Sequence, residues 1–242
     1  MAFLLKRICK FKIDVYNLTK MTTKYEFKFN LSNAFTFMRE NPDELEKNPI
    51  DMIKKLSDYM KSSGQSSANH VTNHEASISV IFEKYGFELS TQDEKKDGYY
   101  YVYQMGGSQK KGDFFLFWVN NGKFQSSIVA DAKHSNKNVF YLNDGWFEEE
   151  TIYIISFSEN ISRGVWKKMC FVGLGKDIPT EEDSVVMKEI IEMKKKLNSE
   201  KRSRLTSHLK VVFRFANQYS CKQFNHEFTR IQFEKMLAWL EP

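Results

Sequence analysis

A two-residue turn does most to limit what this chain can fold into. Asn121-Gly122 stands between two apolar runs, 112–120 (GDFFLFWVN) and 125–134 (QSSIVADAKH). In that setting Asn-Gly favours a type I′ turn, whose two central residues both take positive φ. The two runs are therefore expected to be antiparallel strands of one hairpin. Runs rich in β-branched and aromatic residues extend the sheet: 98–105 (GYYYVYQM) before the hairpin, 151–158 (TIYIISFS) and 169–175 (MCFVGLG) after it.

Helical periodicity surrounds this block. Residues 31–62 read as helical, with Leu31, Phe35 and Met38 in one apolar stripe and Ile50, Ile53 and Leu56 in another. Pro42 and Pro49 punctuate them. The polar stretch 62–69 (SSGQSSAN) predicts a boundary between an N-terminal helical segment, 1–67, and a core with a C-terminal extension, 68–242. A third helix is expected over about 70–85, with Ile78, Ile81, Phe82 and Tyr85 on one face and Gly86 at its end. Pro179-Thr180-Glu181-Glu182 opens a long helix to about 198. A strand at VVFRFA and a helix near 227–240 close the chain. No internal repeat is visible. The fold class expected is α/β (α+β), a central mixed β-sheet flanked by helices, with a helical segment at the N-terminus.

Composition narrows the function. Hydrophobic residues make up 41% of 242, enough for a sizeable core. The formal net charge of +5 suits a polyanionic partner, and Lys194, Lys195, Lys196, Lys201, Arg202 and Arg204 cluster in the last third. Such a cluster also serves as a solvated helix face. Cys9, Cys170 and Cys221 are far apart with no CxxC pair, which argues against structural zinc and for a reducing, intracellular setting. No run approaches membrane-spanning length, and no membrane partner is expected.

The chemistry-bearing residues lie on the hairpin. Asp113 opens one strand. Asp131 and Lys133 lie two apart on the next and project from one face. An antiparallel hairpin brings the start of the first strand beside the end of the second, so two carboxylates and an ammonium are expected to converge. Two carboxylates suit Mg²⁺, with the Ala132 backbone carbonyl completing the oxygen set and Lys133 orienting a water. A plain cross-strand ion pair on a surface hairpin would use the same residues. Two other motifs fail. Gly173-Leu174-Gly175-Lys176 lacks the upstream glycine and the following Ser or Thr of a phosphate loop. His70, His74 and Glu75 lack the HExxH spacing and read as helix surface.

Asp113 with Asp131-Ala132-Lys133 resembles the PD-(D/E)xK nuclease motif, shared by many type II restriction enzymes, including small ones from bacteria and algal viruses. Gly112 stands where the motif has proline, and the later acid is Asp131 rather than Glu. The resemblance covers about 68–158 and implies a helix followed by a three-stranded meander, then another helix and strand. It implies one or two Mg²⁺ ions, double-stranded DNA as substrate, a short palindromic site and a homodimer. It also implies a glutamate on the preceding helix. The helical wheel favours Glu75, with Glu83 rotated ~80° further toward solvent. Loops flanking the catalytic strands would contact DNA: Lys110 and Lys111 before Asp113, then Asn136, Lys137 and Asn138, then Asn143 in Asn143-Asp144-Gly145-Trp146, which reads as an exposed turn with a large aromatic. A repair or recombination nuclease, or a catalytically inert nucleic-acid-binding protein, would fit the same pattern.

Overall fold

The computed structural model describes residues 24–63, 70–90, 94, 96–105, 112–137, 139–143, 145–202 and 216–241. The boundary expected at 67–68 lies outside these residues. The chain separates into two compact units, Met1–Ile128 with Leu237–Pro242, and Val129–Met236.

The first unit holds α1 (24–40), a 3-10 turn (Pro42–Glu46), α2 (Ile50–Ser62) and α3 (Asn73–Lys84). Strands β1 (Phe87–Leu89), β2 (Gly98–Tyr103) and β3 (Phe114–Asn120) follow, with the first half of β4 (Lys123–His134). Leu31, Phe35 and Met38 are buried, as their spacing predicts, although α1 begins at residue 24. The second stripe is shifted. Met52, Leu56 and Met60 face the core, while Ile50 at the first turn of α2 is exposed. Phe27, Phe82, Phe87 and Phe114 interlock edge-to-face, the closest pair being Phe82 and Phe114 at 5.4 Å between ring centres.

The expected hairpin turn is present. Asn121 has φ +52° and Gly122 φ +66°, so both central residues take the left-handed conformation that the dipeptide favours. The Gly122 N–H donates to Asp97 Oδ1 at 2.9 Å. The Trp118 indole N–H reaches across the hairpin to Ser126 Oγ at 2.9 Å.

The second unit holds the rest of β4, β5 (Val139–Asn143), β6 (Ile152–Ser162), β7 (Val165–Leu174), α4 (Glu181–Arg202), β8 (Ala216–Ser220) and most of α5 (His226–Leu240). β4 and β6 run parallel, with Lys133 opposite Ile155. β6 and β7 are antiparallel and longer than the sequence suggests. β5 pairs with β8, from Val139 opposite Ser220 to Asn143 opposite Ala216. The strand expected at VVFRFA falls on 211–216, of which only Ala216, the first residue of β8, is among the described residues. Phe140, Phe147, Phe157, Phe171, Tyr219 and Phe224 anchor this unit's core.

The main sheet has the order β1-β2-β3-β4-β6-β7, six strands of mixed direction. The α/β class and mixed central sheet are therefore as expected. Among the described residues, no helix is long and apolar enough to cross a membrane.

Candidate active site

Each unit carries one part of the constellation predicted above. In the second unit, Asp131, Ala132 and Lys133 lie consecutively near the end of β4, held by the parallel β6. Alternation along the strand sends Asp131 and Lys133 to the same face. The Lys133 ammonium stands 2.5 Å from Asp131 Oδ2 and donates to the Ala132 carbonyl at 3.3 Å. The Asp131 side chain is 12% exposed and that of Lys133 24%. Two hard oxygen acceptors thus converge on a single cation. That donor set matches Mg²⁺, which is held by one or two carboxylates and keeps several waters. Among the described residues, no group of three or more His, Cys, Asp or Glu side chains is arranged to hold a metal ion.

In the first unit, Asp113 lies one residue before β3, at a bend. Gly112 has φ +95°. Proline, fixed near φ −65°, could not stand there. The Asp113 carbonyl accepts the Gln104 N–H at 2.7 Å, tying the start of β3 to the end of β2.

Glu75 occupies the third position of α3 and completes a capping box. Its Oε2 accepts from the Thr72 N–H at 2.9 Å and from the Thr72 hydroxyl at 2.7 Å, while the Glu75 N–H donates back to Thr72 Oγ1 at 3.2 Å. Glu75 also accepts the hydroxyl of the fully buried Tyr103. Burial foremost, then the charges of Glu75 and Asp113, raise the Tyr103 pKa far above the ordinary range. Tyr103 therefore remains a neutral donor, and its hydroxyl accepts from Gln104 Nε2 at 3.1 Å. Gln104 has φ +48°, left-handed backbone in a non-glycine residue. Such strain collects at functional sites, and here the neighbouring bonds hold it. Glu75, Tyr103, Gln104 and Asp113 thus form one connected group. Sequence reasoning found only the two carboxylates, because nothing in the sequence marks a strained glutamine.

Several expectations need correction. Glu83 does not point to solvent: its Oε1 pairs with Lys55 Nζ at 2.5 Å and accepts the Tyr101 hydroxyl at 3.1 Å. His74 is not helix surface. It is 4% exposed, with Nδ1 3.4 Å from the Leu45 carbonyl. Trp146 is no exposed turn aromatic. It packs on Phe147 and Tyr219, with ring centres 5.1 and 5.8 Å away. Asn143 is not in a turn but ends β5, opposite Ala216.

The segment after the Asp131-Ala132-Lys133 strand is exposed at Asn136 and Lys137, as expected. It is stapled to β6, since the Ser135 N–H donates to the Ser156 carbonyl and the Ser158 N–H to the Lys137 carbonyl. His134 Nε2 lies 3.1 Å from Asn136 Oδ1. Lys110, Lys111 and Asn138 lie outside the described residues. No protein-family model, no curated protein and no solved structure matches this chain.

Proposed function

We propose that this chain is a Mg²⁺-dependent type II restriction endonuclease, hydrolysing double-stranded DNA at a short palindromic site. The observation that carries the reading is the arrangement of Asp131, Ala132 and Lys133, two oxygen acceptors and an ammonium on one short stretch of strand. Asp113, one residue before β3, is the second carboxylate of the reading, and Glu75 an accessory one.

Asp131 and the Ala132 carbonyl would hold Mg²⁺. Such an ion stabilises charge on the scissile phosphate and lowers the pKa of a bound water. Lys133 orients the attacking water and offsets negative charge that grows as one P–O bond forms and another breaks. The Glu75 carboxylate accepts from the Thr72 N–H, the Thr72 hydroxyl and the Tyr103 hydroxyl, which fix its position. A palindrome presents the same sequence on both strands, so a two-fold dimer would supply one centre to each strand.

The test is incubation with long duplex DNA and Mg²⁺. Discrete fragments with uniform ends are expected. A smear, or cutting confined to branched substrates, would instead indicate a repair or recombination nuclease. Binding without cutting would indicate an inert nucleic-acid-binding protein.

A further inference from the structure

β6 and β7 outrun the strand beside them. The β4–β6 ladder ends at His134 opposite Ser156, and the last tie to the neighbouring chain is the Ser158 N–H to the Lys137 carbonyl. The β6–β7 ladder continues to Ser162 opposite Val165. Phe157 and Ser158 are buried, but every residue from 159 to 167 is exposed. The ribbon therefore projects four residues beyond Ser158, ~13 Å at the rise of a strand. A side chain built at Gly164, in the tip, would meet no atom within 4 Å.

The chemistry of this arm is uneven. Within the arm, Arg163 and Lys167 stand against a single carboxylate, Glu159, which lies directly opposite Lys167, and Lys168 follows at its base. Ile161, Val165 and Trp166 are about half exposed, at 56%, 48% and 48%. Asn160 lies opposite Trp166, and the register shifts between Asn160 and Ser162, which twists the ribbon further. The tip therefore carries both apolar side chains and cations at its surface.

We infer that this arm enters a groove of the DNA flanking the cut, an inference that rests on the nuclease reading above. Four observations favour DNA as the occupant. The arm carries an excess of cations, which suits phosphates. Trp166 and Asn160 provide an apolar surface and an amide at one level of the ribbon, suited to groove edges. A two-stranded ribbon fits a major groove ~12 Å wide. A protein interface of standard size uses ~20–30 residues a side, and the nine residues from 159 to 167 fall well short of that.

Strand direction fixes which DNA the arm would meet. β4 and β6 are parallel, so the arm leaves β6 at the same end at which Lys133, Asn136 and Lys137 leave β4. Ser162 lies seven residues beyond Ile155, the partner of Lys133, or ~23 Å along the ribbon. At ~3.4 Å per base pair that is about seven base pairs. The arm therefore contacts sequence outside a short recognition site.

The experiment measures affinity by fluorescence anisotropy in Ca²⁺ for cognate duplexes with either ten or four flanking base pairs. The full-length wild type is compared with Arg163→Ala/Lys167→Ala and with Trp166→Ala. Wild type should bind the long duplex at least tenfold more tightly than the short one. The double variant should lose most of that preference, with its salt slope reduced by about two. Trp166→Ala should lose affinity for the long duplex without a change of slope. Thermal melting and sedimentation should match wild type. Variants that keep the full flank preference overturn the arm's role while wild-type cleavage leaves the nuclease reading intact. Altered sedimentation with unchanged DNA affinity also overturns it, making the arm a contact between two copies of the chain. A wild type that neither binds nor cuts duplex DNA overturns both readings.

Discussion

The Lys133 ammonium lies 2.5 Å from Asp131 Oδ2, two residues back along the same strand. Lys133 thus occupies the acceptors that a metal ion would need. Replacing it with Met should raise the affinity of the protein for Ca²⁺ several-fold, because the competing cation is gone. The same change should lower cleavage by about 100-fold or more, since the group that orients the water is lost. DNA affinity should change little. Isothermal titration with Ca²⁺ and single-turnover cleavage in Mg²⁺ separate the two effects. A variant that cuts normally once saturated with DNA would reduce Lys133 to a phosphate contact.

Asp113→Ala and Asp131→Ala should each abolish cleavage while DNA binding survives or tightens, because repulsion between carboxylate and phosphate falls. Their stabilities should differ. Asp131→Ala leaves the partly buried Lys133 ammonium without its carboxylate and should cost roughly 1–3 kcal/mol. The backbone bond from Gln104 to the Asp113 carbonyl does not depend on the Asp113 side chain. Cleavage and urea unfolding of both variants check this pair of expectations.

Glu75 and Glu83 exchange some of the roles that a helical wheel assigns them. Glu75→Gln preserves the capping box, since Gln serves at the third helical position as Glu does. It should leave stability within about 0.5 kcal/mol and lower cleavage moderately, less than loss of either aspartate. Glu75→Ala should cost more in stability than Glu75→Gln, because the Thr72 N–H and hydroxyl lose their acceptor, although Thr72 still caps the residue-75 N–H. Glu83→Ala should cost roughly 1–3 kcal/mol, because the buried Tyr101 hydroxyl loses its acceptor and Lys55 its partner. Its cleavage rate should stay near wild type. Cleavage lost in Glu83→Ala and retained in Glu75→Gln would reverse the assignment.

What the sequence made legible was local. The hairpin could be read because Asn121-Gly122 carries its own backbone preference. Asp131 and Lys133 could be placed on one face because a strand alternates strictly. α3 misled the reading because it is buried on more than one side. His74, Ser77, Ile78, Ile81 and Phe82 are all buried, so a wheel with one apolar face sends Glu83 and His74 the wrong way. Trp146 was misread for a different reason. Asn143-Asp144-Gly145 has turn chemistry, but the burial of Trp146 is decided by Tyr219, on a strand far along the chain. The β5–β8 pairing was invisible on the same ground, since Val139 and Ser220 meet only in the folded protein.

Stability should fall in alkali through the second unit's core. Burial pushes the Cys221 thiol up to about 12, and burial with the Asp183 charge pushes Tyr219 up to about 12. Unfolded values are about 8.5 and 10. Both folded values are raised, so the stabilisation is complete below about pH 8.5 and is lost progressively toward pH 12. The loss by pH 10 should reach about 2–2.5 kcal/mol, mostly from Cys221. Urea unfolding at pH 7.5 and pH 10 measures it. Cys221→Ala should show a smaller drop between the two pH values than wild type, and an equal drop would exclude the thiol as its source.

Asn136 and Lys137 should divide base readout from phosphate binding. Both are exposed, on a segment pinned to β6 by two backbone hydrogen bonds, so their positions relative to Lys133 are fixed. Three or four residues beyond Lys133 the chain reaches only ~10–15 Å. That limits direct readout to bases next to the cut and leads us to expect a short site. An amide such as Asn136 is suited to a bidentate contact with adenine. Its loss should cost roughly 1–3 kcal/mol at a single base position and relax specificity there alone. Lys137 acts as a point charge, and Lys137→Ala should weaken all sequences alike and reduce the salt slope by about one. Affinities for the cognate site and its single-base variants, in Ca²⁺ at two salt concentrations, distinguish the two roles. If Asn136→Ala weakens every sequence equally, Asn136 contacts the backbone and base readout must come from other residues.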